Sequence, residues 1–231
     1  MHINDLLKVA TELGSSDLHL KVGSHPVIRV NGRLRPLTDQ KRLMQEDTIA
    51  MAFSIMSARQ KQKFKDHFEI DMAYSVPGLG RFRVNVFHQR GNVAMVLRFI
   101  TSELPTLDEL GMPRQLRELV MLKRGLILMV GATGAGKSTT LAAMINHRNE
   151  KTSSHIITIE DPIEFLHPNK QSIVNQREVG LDTRSYHRAL KSAMRGAPDV
   201  IQIGEIRDTE SMRAALDMAG TGHLVLATVH S

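Results

Sequence analysis

The sequence predicts an α/β protein, and three observations carry that prediction. In its second half, near-continuous apolar segments alternate with helically spaced ones, the pattern of a parallel sheet covered on both faces. A glycine-rich loop, Gly131 to Ser138, stands between one such strand and one such helix. The first hundred residues mix helices with short alternating strands, so a separate α+β unit precedes the α/β part. A length of 231 residues corresponds to roughly 1.5 domains at about 150 residues each.

His2 to Leu13 places Ile3, Leu6, Leu7 and Ala10 at helical spacing, and Gly14 stops the helix. Strands are expected at Asp17–Val22, Val27–Val30 and Arg33–Leu37, with Asn31-Gly32 supplying the positive φ angles of a two-residue hairpin. Asp47 to Phe68 reads as helical. Glu69–Ser75, Arg81–Gln89 and Val93–Ile100 alternate as strands around Pro77-Gly78 and Arg90-Gly91-Asn92, which predicts an antiparallel sheet with helices on one side. Pro105, Gly111 and Pro113 mark residues 101–113 as a linker between a 1–100 domain and a 114–231 domain. Beyond it, Leu126–Val130 reads as a buried strand and Lys137–Asn149 as a helix. Further strands are expected at His155–Ile159, Val200–Ile203 and Leu224–Val229, with helices near Thr183–Arg195 and Thr209–Ala219.

Composition narrows the function classes. Hydrophobic residues at 42% and a formal charge of +6 describe a globular chain. Without cysteine there is no disulfide framework, no cysteine-based zinc site and no thiol nucleophile. The longest apolar runs, such as Leu126–Val130 and Val93–Leu97, are five residues, against the ~18 a membrane helix needs. Asn4, Asp5 and Lys8 interrupt the N-terminus too early for a signal peptide, so a cytoplasmic protein without a transmembrane segment is expected. The basic balance lacks the companions of nucleic-acid binding. Aromatic residues are seven Phe, two Tyr and no Trp, and the positive charges are interspersed with acids, the Arg59–Lys65 cluster being a solvated helix face.

Gly131, Ala132, Thr133, Gly134, Ala135, Gly136, Lys137 and Ser138 match the phosphate loop G-x-x-x-x-G-K-[ST], in the strand–loop–helix context its physics requires. Glycines let backbone N–H groups close around phosphates, the helix N-terminus adds a favourable dipole, Lys137 meets β/γ oxygens and Ser138 reaches Mg²⁺. Hydrolysis also needs carboxylates at the end of a neighbouring strand. The acidic turn Glu160-Asp161-Pro162-Ile163-Glu164 and the strand end Ile203-Gly204-Glu205 supply them; alone, each acid would read as a solvated surface group, and it is the phosphate loop in the same sheet that favours the magnesium and water-handling role. His223 and His230 could form a metal pair, but no cysteine or third ligand accompanies them. Gln202 puts a polar group into an otherwise apolar strand, where burial would demand a hydrogen-bond partner.

Taken together, these residues resemble the secretion and type IV pilus ATPase superfamily, specifically the pilus retraction ATPases of the PilT/PilU group, over essentially the whole chain. Ser16-Asp17-Leu18-His19-Leu20 and Gly80-Arg81-Phe82-Arg83-Val84-Asn85 resemble the N-terminal motifs, and Gly131 to Thr140 the Walker A loop. Thr158 to Glu164 resembles the Asp box, Gly204-Glu205-Ile206-Arg207-Asp208 the Walker B end, and Thr221-Gly222-His223-Leu224 through Thr228-Val229-His230 the His box. Residues 130–134, 177–182 and 88–90 look more like PilU than PilT.

The resemblance implies an N-terminal PAS-like domain, then a RecA-like P-loop ATPase domain whose C-terminal part is missing. It implies ATP and Mg²⁺ as cofactors, with Thr139 added to the phosphate-binding set. Glu164 would be general base or water-positioning residue, Glu205 the Walker B carboxylate near magnesium beside Ser138, and His230 a γ-phosphate sensor supported by His223. Arg81 and Arg98, with Arg83 and Arg124 as runners-up, would reach a nucleotide across a domain or subunit boundary; as plain flanking residues they would be surface groups. The implied protein is a homo-hexameric, cytoplasmic motor peripheral to the inner membrane at the pilus base, working with a platform protein and open to hetero-assembly with a related retraction ATPase, and not with nucleic acid. An accessory nucleotide-binding subunit and a pilus extension or type II secretion ATPase are the alternative readings, the latter disfavoured because those carry an extra N-terminal domain.

Overall fold

A computed structural model describes residues 2–100 and 103–229, which fall into two compact units, Met1–Ile100 and Thr101–Ser231. In the first, α1 (Ile3–Glu12) precedes β1 (Asp17–Leu20), β2 (Val27–Val30) and β3 (Arg33–Pro36); α2 (Gln45–Ser54) and α3 (Ala58–His67) then lead into β4 (Glu69–Val76), β5 (Gly80–Gln89) and β6 (Asn92–Ile100). The strands make one antiparallel sheet in the order β3-β2-β1-β6-β5-β4. Asn31 and Gly32 take φ of +49° and +77° at the β2–β3 turn, as the Asn-Gly pair requires.

Alternation decides the faces. Leu18 and Leu20, Phe82, Val84 and Val86, and Val93, Met95 and Leu97 point one way and bury against Leu6, Leu7, Met51 and Phe64 of the helices. The opposite face carries Arg29, Asp17, Arg98 and Arg83 in register across β2, β1, β6 and β5. The helical stretch expected over 47–68 is two helices. Ser57 starts the second with a reciprocal cap, its Oγ accepting the Gln60 N–H at 3.3 Å while Gln60 Oε1 accepts the Ser57 N–H at 2.8 Å.

The second unit contains α4 (Gln115–Val120), β7 (Gly125–Val130), α5 (Lys137–Lys151), β8 (His155–Glu160), β9 (Ile173–Glu178), α6 (Tyr186–Ala193), β10 (Val200–Ile206), α7 (Thr209–Gly220) and β11 (Leu224–Val229). The sheet order is β7-β11-β10-β8-β9, parallel throughout. Ile156, Val200, Leu224 and Leu226 pack on one face against Leu141, Met144 and Ile145 of α5. Ile157, Ile201, Ile203 and Val225 pack on the other against Leu190 of α6 and Ala215 and Met218 of α7.

Two expectations need correction. β7 was expected to be fully buried, yet it is an edge strand here and Val130 is 62% exposed; a continuous apolar run does not distinguish a central strand from an edge one. The stretch 101–113, expected as a linker, contributes Leu107 to the core of the second unit, with Leu110 and Met112 packed beside it.

Candidate functional site

β7 delivers the chain into the glycine-rich loop and α5 carries it away. Gly134 and Gly136 adopt φ of +80° and +87°, left-handed values that a β-carbon makes costly. Gly136 is the N-cap of α5 and provides no side-chain cap, so the first-turn N–H groups are available to an anion. Lys137 Nζ donates to the Gly131 and Ala132 carbonyls at 2.7 and 2.8 Å, which curls the ammonium over the loop. The Ala135 N–H donates to Ala132 O and closes the turn.

The loop forms one wall of a cavity of about 320 Å³, within the size range of ligand sites. Thr133, Gly134 and Gly136 to Thr139 line it together with Glu160 at the end of β8, Asp161 and Glu164 after it, and Gln202, Gly204, Glu205 and Thr228 from β10 and β11. The cavity therefore sits at the carboxyl ends of the parallel strands, where open α/β sheets take ligands.

The carboxylates around it differ in environment. Glu160 is 7% exposed. Burial pushes its carboxyl up, while Thr158 Oγ1, Gln176 Nε2 and the Glu164 N–H donate to it. Glu205 Oε2 accepts from Arg207 Nε and Nη2, each at 2.6 Å, and that carboxylate holds the guanidinium above its ordinary range. Tyr186 lines the same cavity, and burial pushes its hydroxyl up, so it stays a neutral hydrogen-bonding group at physiological pH. His167 also lines the cavity; its burial lowers the imidazole to about 4.

Of the residues expected at the site, Lys137, Ser138, Thr139, Glu164 and Glu205 share this cavity with Thr133, Gly134 and Gly136. His230 lies outside the described residues. His223 Nδ1 is within hydrogen-bonding distance of Met218 O, 3.1 Å, at the end of α7, and no cluster of three or more metal-ligating side chains occurs among the described residues. Arg81 and Arg98 belong to the first unit, where Arg98 Nε donates to the buried Asp17 carboxylate at 2.8 Å and Arg29 approaches it at 3.3 Å. Sequence reasoning missed Gln176 and His167, which hold the 161–167 loop; no motif signals them, because their role depends on β9 lying beside β8.

The arrangement sets positive donors against carboxylates across one cavity. The α5 N-terminus and Lys137 can neutralise phosphate oxygens, while Glu164 and Glu205 can orient water or a hydrated cation. Ser138 and Glu205 present hard oxygen donors to the same space, a set that suits Mg²⁺ with retained waters.

Fold and site together define a P-loop protein of the α/β class. The chain belongs to the type II/IV secretion system protein family, whose profile matches residues 1–231. It is 49% identical to the type IV pilus ATPase PilU of Pseudomonas aeruginosa, covering all of this chain and 60% of that protein. It is 46% identical to the type IV pilus retraction ATPase PilT of the same organism, covering all of this chain and 67% of that one. A crystal structure of the pilus retraction motor PilT with bound ADP superposes with a TM-score of 0.94 at 50% identity, over the whole of this chain and 67% of that one. The Legionella pneumophila ATPase DotB gives 0.84 at 30% identity, over 99% of this chain and 65% of that one. The chain thus spans about two thirds or less of the length of these relatives. No described helix is long and apolar enough to cross a membrane.

Proposed function

We propose that the protein is a Mg²⁺-dependent ATPase that powers type IV pilus retraction, as a homo-hexamer on the cytoplasmic side of the inner membrane, docked on the pilus platform protein. The observation that carries the reading is the single cavity in which the phosphate loop, Lys137, Glu164 and Glu205 meet. Relatives named PilU, PilT and twitching motility protein support the pilus assignment.

In this reading the N–H groups of Gly134 to Thr139 and the Lys137 ammonium bind the β- and γ-phosphates. Glu164 orients the attacking water and accepts its proton. Ser138 Oγ and, through water, Glu205 would hold Mg²⁺, which would supply positive charge to the phosphoryl oxygens. Arg207 stands ready to release Glu205 or share it. His230 senses the γ-phosphate.

Steady-state ATP turnover of the purified protein tests this. Lys137→Ala removes nucleotide binding, and Glu164→Ala lowers kcat by about a hundredfold or more while binding survives. Normal turnover in Glu164→Ala removes that residue's role. The stronger identity to PilU, 49% against 46%, keeps a second reading in view, an accessory subunit of a related motor; turnover measured alone and then with a partner ring separates the two.

A further inference from the structure

The face of the second sheet that meets α5 is apolar in its lower row, Ile156, Val200 and Leu224. The next row is polar on three strands and apolar at Leu226 of β11 and Ile127 of β7. Gln176, Thr158 and Gln202 stand side by side there on β9, β8 and β10, paired in register. Gln176 reaches up to the 161–167 loop, and Thr158 to Glu160 at the end of β8. Gln176 Oε1 accepts the His167 N–H at 2.8 Å, and Gln176 Nε2 donates to Phe165 O at 2.8 Å and to Glu160 Oε1 at 3.1 Å. Thr158 Oγ1 donates to the same Glu160 oxygen, and Glu160 accepts the Glu164 N–H. The backbone of Glu164 is therefore fixed by side chains rooted in the sheet.

Gln202 is the member of the row with an unmet bond. It is 6% exposed, and its Oε1 has no partner among the described residues. His167, 8% exposed, has an unpartnered Nδ1. Both line the phosphate cavity. A buried amide oxygen without a partner is a cost that an apolar side chain of equal size avoids, whereas a polar wall on a cavity this large can hold water.

Building on the ATPase reading, we propose that Gln202 is a positioning residue of this site. With His167 it holds ordered water on the inner wall of the phosphate cavity, against the Glu160–Gln176 clamp that fixes Glu164. The row acts through Glu164 and touches neither phosphate nor the attacking water.

The test compares Gln202→Met, which keeps the volume and removes the amide, with Gln202→Glu, which keeps an acceptor oxygen at the same reach. ATP turnover and hydrogen exchange of the 161–168 segment, read by mass spectrometry, are measured on each. Gln202→Met is expected to lower kcat about tenfold with KM for ATP within about twofold, and to speed exchange of the 161–168 amides; Gln202→Glu recovers most of both. His167→Leu, which removes the other holder, carries the same expectation and decides the matter if the methionine variant does not fold. Parent-like turnover and exchange in Gln202→Met, with a raised melting temperature, would overturn the proposal and leave the amide a packing cost. An inactive parent protein sinks the ATPase reading alone, because unchanged loop exchange in the variants still decides against the positioning role and accelerated exchange for it.

Discussion

His167 makes the pH dependence of folding a quantitative prediction. In the unfolded chain its imidazole titrates near 6.5; in the folded chain burial lowers it to about 4. As pH falls below 6.5 the unfolded state takes up a proton that the folded state refuses, so stability is complete above that value and is lost as pH falls toward 4. The full window is worth about 3 kcal/mol, and the part between pH 7 and pH 5 about 2 kcal/mol, at about 1.36 kcal/mol per pH unit. Urea titrations of the parent and of His167→Leu at pH 7 and pH 5 isolate this group. Leucine cannot titrate, and the backbone bond from residue 167 to Gln176 remains possible, so the variant's loss between the two pH values should be about 2 kcal/mol smaller than the parent's. Parallel losses in the two proteins would refute the burial argument.

Arg148 is a buried cation whose Nη1 donates to the Val120 and Leu122 carbonyls at 2.6 and 2.8 Å, at and just beyond the end of α4. Arg148→Met leaves those carbonyls without a donor and is expected to cost about 2 kcal/mol in denaturant unfolding; a gain in stability would mean that desolvating the guanidinium outweighs its bonds. A β-carbon at Gly204 would lie 3.0 Å from the Tyr186 hydroxyl and 3.1 and 3.2 Å from Glu160 Cα and Ile159 O. Because two of those atoms are backbone, Gly204→Ala should cost about 1–3 kcal/mol and displace Glu205 beside it, lowering ATP turnover. An alanine variant with parental melting temperature and turnover would show that the strands give way freely.

Much of the fold was legible because the decisive signals were local. The Asn31-Gly32 turn, the stop at Gly14 and the phosphate loop each state their own geometry, and β11 occupies Leu224–Val229 as its apolar pattern predicts. β9 escaped because Ile173 to Glu178 is an edge strand whose polar side chains, Asn175 and Gln176, point to partners that sequence cannot place. The break at Ser57 was written in the Ser57/Gln60 pair, but helical spacing on both sides masked it. At the site, Lys137, Ser138, Glu164 and Glu205 were readable from motif chemistry. Their supports were not, since Gln176 and His167 gain meaning only from strand order.

The polar row gives a reason for the glutamine in the otherwise apolar strand β10. A residue at position 202 selected for stability alone would be leucine or isoleucine, as Ile201 and Ile203 on the opposite face are. The amide gives up dispersion contacts with α5 and leaves an oxygen unpaired inside the sheet. That cost falls on the wall of the cavity that the glycine-rich loop lines, one row below Glu160, and nowhere else along β10. Local departures from the folding rules concentrate where a site needs them. Here the departure lines the same cavity as Glu164 and Glu205, and the Gln202 and His167 variants test whether that proximity matters to Glu164.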